Sequence, residues 1–499
     1  MLPKPRTGLV PNTAEFENTP LVAPQGFREY DARWLFEKEI NLMGVQALGL
    51  GLGTLIHELG VEPEIAVGHD FRSYSGSIKL ALVTGLVGAG CRVRDIGLAL
   101  SPVAYFSQFA LDVPCVAMVT ASHNENGWTG VKMGANRPLT FGPDEMTRLK
   151  EIVLGGLGRT RGGGAYEFIE GFAQRYIADL TDRPKLKRRI RVVAACGNGT
   201  AGAFAPKVLE AVGAEVIPLD CELDYTFPNY NPNPEDMAML HALRDAVLEH
   251  KADVGLAFDG DGDRCGVVDN EGEEIFADKV GVMLARDLAR QYPKPKFVAD
   301  VKSTGLFMTD PVLRELGATT DYWKTGHSYI KRRSHELGAL VGFEKSGHYF
   351  FNAPIGRGYD DGCVAALAIL DMLDRAPDKT MADLKNDLPK TWGSPTMSPH
   401  CADGEKYGVV DKVVAHFHAL ADAGGTLMGQ KIRDLVTVNG VRVTLEDGTW
   451  GLVRASSNKP GLVVVVESPA SEANMRQMFA EIDAVLSQHP EVGDYDQRL

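Results

Sequence analysis

At 499 residues the chain exceeds what one hydrophobic core holds, so its length predicts two to four domains. Hydrophobic residues make up 44% and charged residues 24%, the balance of an ordinary globular protein. Lys and Arg number 52 against 66 Asp and Glu, a formal net charge of -14. That balance argues against a nucleic-acid binder but leaves room for a locally positive pocket that takes a phosphorylated substrate.

From Met1 to Pro20 no apolar core of the signal-peptide type is present, and the densest apolar run, Leu462 to Val466, is only strand length. The seven cysteines are scattered singly with no C-x-x-C pair, which fits reduced thiols in a cytoplasmic protein and argues against a zinc site. In chain order, Glu64 to Val67 reads as a strand and Ser77 to Val87 as a helix closed by Gly88 and Gly90. Val113 to Thr120 and Arg191 to Cys196 read as strands, the second followed by a Gly-rich turn and a helix over Phe204 to Val212. Phe168 to Leu180 has helical character after the Gly- and Arg-rich stretch Gly155 to Gly164. Val254 to Phe258, Phe297 to Val301 and Leu340 to Phe343 are short apolar strands ending in polar turns, and Asp269 to Gly272 is a turn between strands. Leu388 to Pro399 carries three prolines and breaks the helical pattern. Val436 to Leu445, Gly451 to Arg454 and Leu462 to Glu467 read as antiparallel strands before a helix over Glu472 to Ser487. The pattern predicts three similar mixed α/β domains, 1–165, 166–270 and 271–389, and a C-terminal α+β domain, 390–499.

Four segments carry chemistry. Thr120-Ala121-Ser122-His123-Asn124 follows a strand, where a tight turn lifts Ser122 from the sheet and offers backbone N–H groups to anionic oxygens. His123 and Lys132 stand nearby as sources of charge or protons, although Ser122 alone reads equally as a helix cap. Asp259-Gly260-Asp261-Gly262-Asp263-Arg264 alternates carboxylates with glycine, a pattern that wraps one hard cation. An EF-hand loop would need Gly and Glu where Arg264 and Asn270 stand, so the oxygen-only donors point to Mg²⁺. Glu344-Lys345-Ser346-Gly347-His348 offers a carboxylate and a hydroxyl two residues apart, suited to vicinal sugar hydroxyls or to a loop network of its own. Arg454-Ala455-Ser456-Ser457-Asn458-Lys459 reads as a phosphate cradle or as a polar hairpin turn. A fifth segment competes: Gly197-Asn198-Gly199-Thr200-Ala201-Gly202 matches the dinucleotide fingerprint G-x-G-x-x-G, with Asp220 near its acidic position. It explains none of the other four and is read as a packing turn.

In this order the segments resemble the α-D-phosphohexomutase family, nearest its bacterial phosphomannomutase/phosphoglucomutase branch. Phe27-Arg28-Glu29-Tyr30-Asp31-Ala32-Arg33 is similar to the family's opening segment, and Gly68-His69-Asp70-Phe71-Arg72 to its G-x-D-x-R turn. Thr120 to Asn124, Asp259 to Arg264 and Glu344 to His348 are similar to its phosphoserine, metal and sugar loops. Glu125 and Thr129 stand where the family commonly has Pro and Asn, and Ser457-Asn458-Lys459 departs from its S-N-T order.

The resemblance implies four domains around a central active-site cleft and exchange between hexose 1-phosphate and hexose 6-phosphate, with mannose or glucose as the sugar. It implies that Ser122 carries phosphate and that Asp259, Asp261 and Asp263 hold Mg²⁺ together with the phosphorylated Ser122. A hexose 1,6-bisphosphate is the implied intermediate and activator. His123, Lys132, Arg264 and His327 would stabilise charge or move protons. Tyr30, Arg33, Lys302, Glu344, Ser346, His348, Arg454, Ser456, Ser457 and Asn458 would bind substrate. The expected partner is a small phosphosugar, with no nucleic acid or membrane, and the chain is expected to be a monomer or weak dimer. A phosphoglucosamine mutase and a metal-dependent sugar phosphatase are the alternatives.

Overall fold

The computed structural model describes residues 3–457 and 459–499. Its chain divides into two compact units, residues 1–277 with 346–382, and residues 278–345 with 383–499.

In the first unit, six strands form a mixed sheet: β1 (Ala32–Leu35), β2 (Glu64–His69), β3 (Arg92–Leu98), β4 (Cys115–Val119), β5 (Trp128–Gly134) and β6 (Ala165–Phe168), in the order β1-β5-β4-β2-β3-β6. Strand β4 runs parallel to β2 and antiparallel to β5, and every residue of its apolar run is buried. Such a continuous run is what a strand covered on both faces requires. The chain turns at the end of β4 into the Ser122 segment, so the central strand of the sheet carries the candidate nucleophile.

A second mixed sheet holds β7 (Arg191–Ala195), β8 (Glu215–Leu219), β9 (Val254–Phe258), β10 (Cys265–Asp269) and β11 (Glu274–Ile275), ordered β11-β10-β9-β7-β8. Strands β9 and β10 pair as an antiparallel hairpin from Val254↔Asp269 to Phe258↔Cys265. Its connection is Asp259 to Arg264, so both ends of the acidic turn are fixed by strand pairing, with no helix of an EF-hand on either side.

In the second unit, β12 (Lys296–Asp300) lies between β13 (Thr319–Trp323) and β14 (Val341–Phe343), parallel to both. Further along the chain, β15 (Tyr349–Phe351) belongs to the first unit and β16 (Trp392–Gly393) to the second. The C-terminal sheet is antiparallel, in the order β16-β21-β20-β19-β18-β17, with β17 (Thr426–Leu427), β18 (Gln430–Val436), β19 (Val441–Leu445), β20 (Trp450–Ala455) and β21 (Leu462–Ser468). The helices Lys406–Asp422 and Glu472–Leu486 contribute Val409, Val413, Phe417, Met478 and Ile482 to its core. Buried Arg442 joins this sheet to the β12 end, donating to the carbonyl oxygens of Val301 at 3.0 Å and Ser303 at 2.7 Å, with Trp450 and Tyr322 against its guanidinium. Glu467 completes the joint by accepting from the Gly305 N–H at 2.8 Å, Thr304 Oγ1 at 3.0 Å and Lys279 Nζ at 2.8 Å.

Two expectations from the sequence are corrected. Phe168 ends strand β6, and the helix begins at Phe172 after the left-handed Gly171. The Phe168 side chain is exposed on this edge strand, so its apolar character simulated the buried face of a helix. Val436 to Leu445 is also not one strand: it spans the turn between β18 and β19, where Gly440 has φ +73° and a Cβ would lie 2.1 Å from the Val453 carbonyl oxygen. Gly440 is therefore obligatory at that turn.

The helices Leu42–Glu58 and Ser75–Gly88 pack at backbone distance through Gly49 and Gly85. In an open helix Gly→Ala would stabilise by about 1 kcal/mol. At Gly85 the added Cβ would lie 2.1 Å from the Gln46 carbonyl oxygen, backbone that has no side-chain torsion to yield. Gly85→Ala should therefore destabilise the chain by about 1–3 kcal/mol. Urea unfolding checks this, and a midpoint equal to or above the parent's would refute the close-packing account.

Candidate active site

The Ser122 segment is held in an unusual backbone state by a network that starts one turn away. Ser122 has φ +51°, in the left-handed region, and no helix follows it. The helix-cap alternative is thereby removed. A non-glycine residue in that region persists only where its surroundings fix it. Here the Ser122 N–H donates to Thr120 Oγ1 at 2.8 Å, and Thr120 Oγ1 donates to Asp70 Oδ2 at 2.8 Å. Arg72, buried and 3.3 Å from the same Asp70 oxygen, donates to the carbonyl oxygens of Ser122 at 3.0 Å, Asn124 at 2.6 Å and Glu125 at 3.1 Å. Arg33, held by Asp31 at 2.8 Å, reaches the Ala121 carbonyl oxygen at 3.3 Å, and Tyr30 is buried in the segment before it.

The acidic turn brings its three carboxylates together, each fully buried and each offering an oxygen within 4.8 Å of the others. Ser122 Oγ donates to Asp259 Oδ2 at 3.1 Å and lies 3.2 Å from His123 Nδ1. The other Asp259 oxygen accepts the N–H groups of Asp263 at 3.1 Å and Arg264 at 3.2 Å, the local folding that Gly262, with φ +70°, permits. Lys132 reaches from β5 to Asp261 Oδ2 at 2.7 Å and Asp263 Oδ2 at 2.5 Å, and Ser101 Oγ donates to Asp261 Oδ2 at 2.6 Å. His348 Nε2 lies 3.3 Å from Asp263 Oδ1 and Ser346 Oγ 3.0 Å from His348 Nδ1. Arg264 stands 3.9 Å from Asp259 and 3.3 Å from Glu235.

These contacts set the charges. Burial and the neighbouring Asp261 and Asp263 carboxylates push Asp259 well above the usual carboxylate range. Burial acts the same way on Asp263, but Lys132 and His348 outweigh it and hold that carboxyl well below its ordinary value. Lys132 is also buried, yet the two aspartates keep its ammonium form strongly favoured. Burial, with Arg264 and Arg33 beside it, drives His123, next to Ser122 Oγ, well below its ordinary value.

The donor set fits a hard divalent cation. The three aspartates offer only carboxylate oxygens, and Asp261 Oδ1 is fully buried without a hydrogen bond among the described residues. An acceptor left in that state is costly unless something electropositive meets it.

The second unit presents its own group. Asp300, at the end of β12, accepts from Ser303 Oγ at 2.6 Å, Thr325 Oγ1 at 3.0 Å and the Lys345 N–H at 3.3 Å, and lies 3.8 Å from Lys302 Nζ. Buried Glu344 accepts the Gly326 N–H at 2.8 Å, which sets its carboxylate against the turn that starts the helix His327–Leu337. Arg454 is buried near the end of β20, and the loop beyond it is tied by Lys406 Nζ, 2.6 Å from the Ser456 carbonyl oxygen and 3.3 Å from that of Lys459. Ser457 is half-buried in that loop, and Asn458 lies outside the described residues.

Positioning residues absent from the sequence-derived set are Asp70, Arg72, Ser101 and Asp300. The first two were signalled by the G-x-D-x-R segment. Nothing local marks Ser101 or Asp300, whose partners come from distant segments.

The Gly197 to Gly202 turn leaves no room for a dinucleotide. At Gly199, the glycine that faces the pyrophosphate in a dinucleotide site, a Cβ would lie 3.1 Å from the Cys196 carbonyl oxygen, 3.2 Å from Gly260 Cα and 3.3 Å from Pro232 Cβ, so the chain's own atoms fill the space a pyrophosphate needs. Asp220 accepts from Asn229 Nδ2 at 2.7 Å and from the Tyr230 hydroxyl.

Comparison with known proteins agrees with this geometry. Profiles of the phosphoglucomutase/phosphomannomutase α/β/α domains I, II and III match residues 24–156, 167–272 and 276–392, and that of the C-terminal domain matches 400–485. A phosphomannomutase/phosphoglucomutase of Pseudomonas putida is 35% identical over 91% of this chain and 93% of its own. A phosphoglucomutase of Neisseria meningitidis serogroup A is 31% identical over 94% and 98%. The crystal structure of a phosphoglucomutase/phosphomannomutase family protein from Burkholderia thailandensis superposes with a TM-score of 0.82 at 29% identity, covering 94% of this chain and 98% of that one. Fold and site together define an enzyme of the α-D-phosphohexomutase class. Within it, the chain belongs to the phosphoglucomutase/phosphomannomutase family.

Arg72→Ala removes the three-carbonyl clamp while leaving the strands intact. Amide hydrogen exchange across Ala121 to Asn126 should accelerate by at least about tenfold, with the β4 amides unchanged, given the roughly 1.5–3 kcal/mol of a hydrogen bond to a charged group. Unchanged exchange in this segment would show that Arg72 does not hold it.

Proposed function

We propose that this enzyme interconverts hexose 1-phosphate and hexose 6-phosphate, with mannose or glucose as the sugar, through phosphorylated Ser122. The carrying observation is Ser122 Oγ at 3.1 Å from Asp259, on the edge of three buried carboxylates and 3.2 Å from His123 Nδ1. Phospho-Ser122 donates its phosphoryl group to the free hydroxyl of a bound hexose phosphate, giving a hexose 1,6-bisphosphate. That intermediate turns over, and its other phosphoryl group returns to Ser122 Oγ. On return the serine loses its proton, and the acceptors within reach of Ser122 Oγ are Asp259 Oδ2 at 3.1 Å and His123 Nδ1 at 3.2 Å. Lys132, bound to two aspartates, acts by charge alone.

Asp259, Asp261 and Asp263 with phospho-Ser122 are the proposed Mg²⁺ ligands, and the ion would offset negative charge on the transferring group. Arg264 adds positive charge at the same turn. In the second unit we assign Glu344 to sugar hydroxyls, Lys302 and His327 to the substrate, and Arg454, Ser456, Ser457 and Asn458 to the phosphate that is not transferred. Ser346 and His348 continue the sugar loop, and Arg33 with Tyr30 borders the serine segment. We assign the domain boundaries as 1–165, 166–270, 271–389 and 390–499. The absence of a membrane-length apolar helix among the described residues is compatible with cytoplasmic work on a small phosphosugar.

Ser122→Ala should lower mutase turnover by at least about a thousandfold with the fold intact, the scale of losing a covalent nucleophile. Incubation with glucose 1,6-bisphosphate should add one phosphate to the parent chain, mapped to Ser122, and none to the variant. Near-normal turnover in Ser122→Ala would sink the assignment. Steady release of inorganic phosphate without mutase flux would identify a phosphatase, and preference for glucosamine phosphate in a coupled assay would reassign the sugar.

Arg454→Ala should lower kcat/KM by about tenfold to a hundredfold, the worth of one charge-assisted hydrogen bond. The loss should appear in kcat as well as KM, because holding the remote phosphate organises the reacting end. Unchanged kinetics would remove Arg454 from the cradle.

A further inference from the structure

The seven cysteines are free, and two of them meet across adjacent strand ends behind the acidic turn. Cys196 follows β7 and Cys221 follows β8; their sulfurs are 3.5 Å apart. Cys196 is fully buried, whereas Cys221 is half-buried and also donates to the Ala194 carbonyl oxygen at 3.2 Å. The segments that carry them are laced together, with the Asn198 N–H donating to the Asp220 carbonyl oxygen at 2.6 Å and Asn198 Nδ2 to that of Glu222 at 2.8 Å. This is the Gly-rich turn that packs against Cys221 and that the phosphoryl-transfer chemistry leaves unused.

We propose that Cys196 and Cys221 form a reversible redox pair, closing to a disulfide under a hydroperoxide and slowing the enzyme through the acidic turn in front of them. Disulfides in reducing compartments are commonly transient and sensory, and the sulfurs of this pair already face one another. The sulfurs must approach from 3.5 Å to about 2 Å. In the first step the Cys221 thiolate attacks the peroxide O–O bond, giving a sulfenic acid and releasing hydroxide. The Cys196 sulfur then attacks the Cys221 sulfur, the S–S bond forms, and water leaves with the Cys196 proton and the sulfenic oxygen. Two thiols are oxidised and one peroxide is reduced. The contact with Cys196 lowers the Cys221 thiol below its ordinary value against the effect of burial, while the same contact and burial raise Cys196, which assigns attack to the more accessible sulfur.

Closure would be felt at the site because the turn after Cys196 touches the metal-loop backbone. The Thr200 N–H donates to the Gly260 carbonyl oxygen at 3.2 Å, and Thr200 Oγ1 accepts the Phe71 N–H at 2.9 Å, next to Arg72. The regulatory half of the proposal rests on the mutase reading; the linkage itself does not.

The test treats the reduced full-length enzyme with graded hydrogen peroxide and maps its peptides without reduction. A Cys196–Cys221 linkage should appear, and turnover should fall by about tenfold or more, the scale of an ångström-sized misplacement, recovering with dithiothreitol. Cys196→Ser should trap Cys221 as a sulfenic acid that dimedone captures, and Cys221→Ser should keep its turnover under peroxide. Both cysteines remaining thiols, or linking to other partners, would overturn the pair. A linkage with unchanged turnover would overturn the coupling to the acidic turn. If the reduced enzyme showed no mutase flux, the functional reading would fall while the mass map still decided the pair.

Discussion

Three buried carboxylates on one short turn are the constraint from which the first unit's architecture follows. Taking even one carboxylate out of water is costly unless it is paired, and three of like sign repel as well. The fold meets this cost from four directions: an ammonium from β5, a hydroxyl from Ser101, two backbone N–H groups of the turn itself, and His348 beyond β10. Compensation is incomplete, since Asp261 Oδ1 accepts no hydrogen bond among the described residues and Asp259 is pushed toward its protonated form. Incomplete neutralisation favours a cation-binding site over a structural salt-bridge cluster, because a fully satisfied cluster would have nothing to gain from an added ion.

The proposed nucleophile is held by a different kind of constraint. Ser122 sits in a backbone region that costs a non-glycine residue about 1–3 kcal/mol. Asp70 and Arg72 hold it there through Thr120 and three carbonyl oxygens, so the Ser122 Oγ position is set by buried ionic groups on a neighbouring strand end. Phosphoryl transfer relies on positioning and charge more than on covalent activation. A serine pinned by its backbone meets that requirement before any substrate arrives. Flexible side-chain sampling would instead impose the ordering cost at each turnover.

This division also explains what the sequence made legible. The acidic turn, the serine segment and the sugar loop are each contiguous, so their chemistry could be read from neighbouring letters. Lys132 could be named as a charge but not paired: its aspartate partners lie 129 and 131 residues away. Ser101 reaches Asp261 across 160 residues, and Asp300 gathers Thr325 and Lys345 from separate loops. Long-range positioning is written in topology, which periodicity does not encode. The Phe168 and Val436 misreadings have the opposite origin. In both, apolar residues followed a plausible local pattern, and an exposed sheet edge or a glycine turn decided the outcome.

The Gly197 to Gly202 turn separates motif from function most clearly. In a dinucleotide site, glycine makes room for a pyrophosphate at a helix N-terminus. Here the same absence of side chains admits the Cys221 backbone, and Gly199 brings the turn up to Gly260, with 3.2 Å between its would-be Cβ and the Gly260 Cα. The glycines therefore serve close packing between the β7 and β8 ends and the acidic turn. Such packing holds the carboxylates in place from behind, in a second sheet distinct from the one that carries Ser122. Ser122 on one sheet and the acidic turn on another keep their 3.1 Å contact only while both supports are rigid, and glycine supplies that rigidity by letting backbone meet backbone.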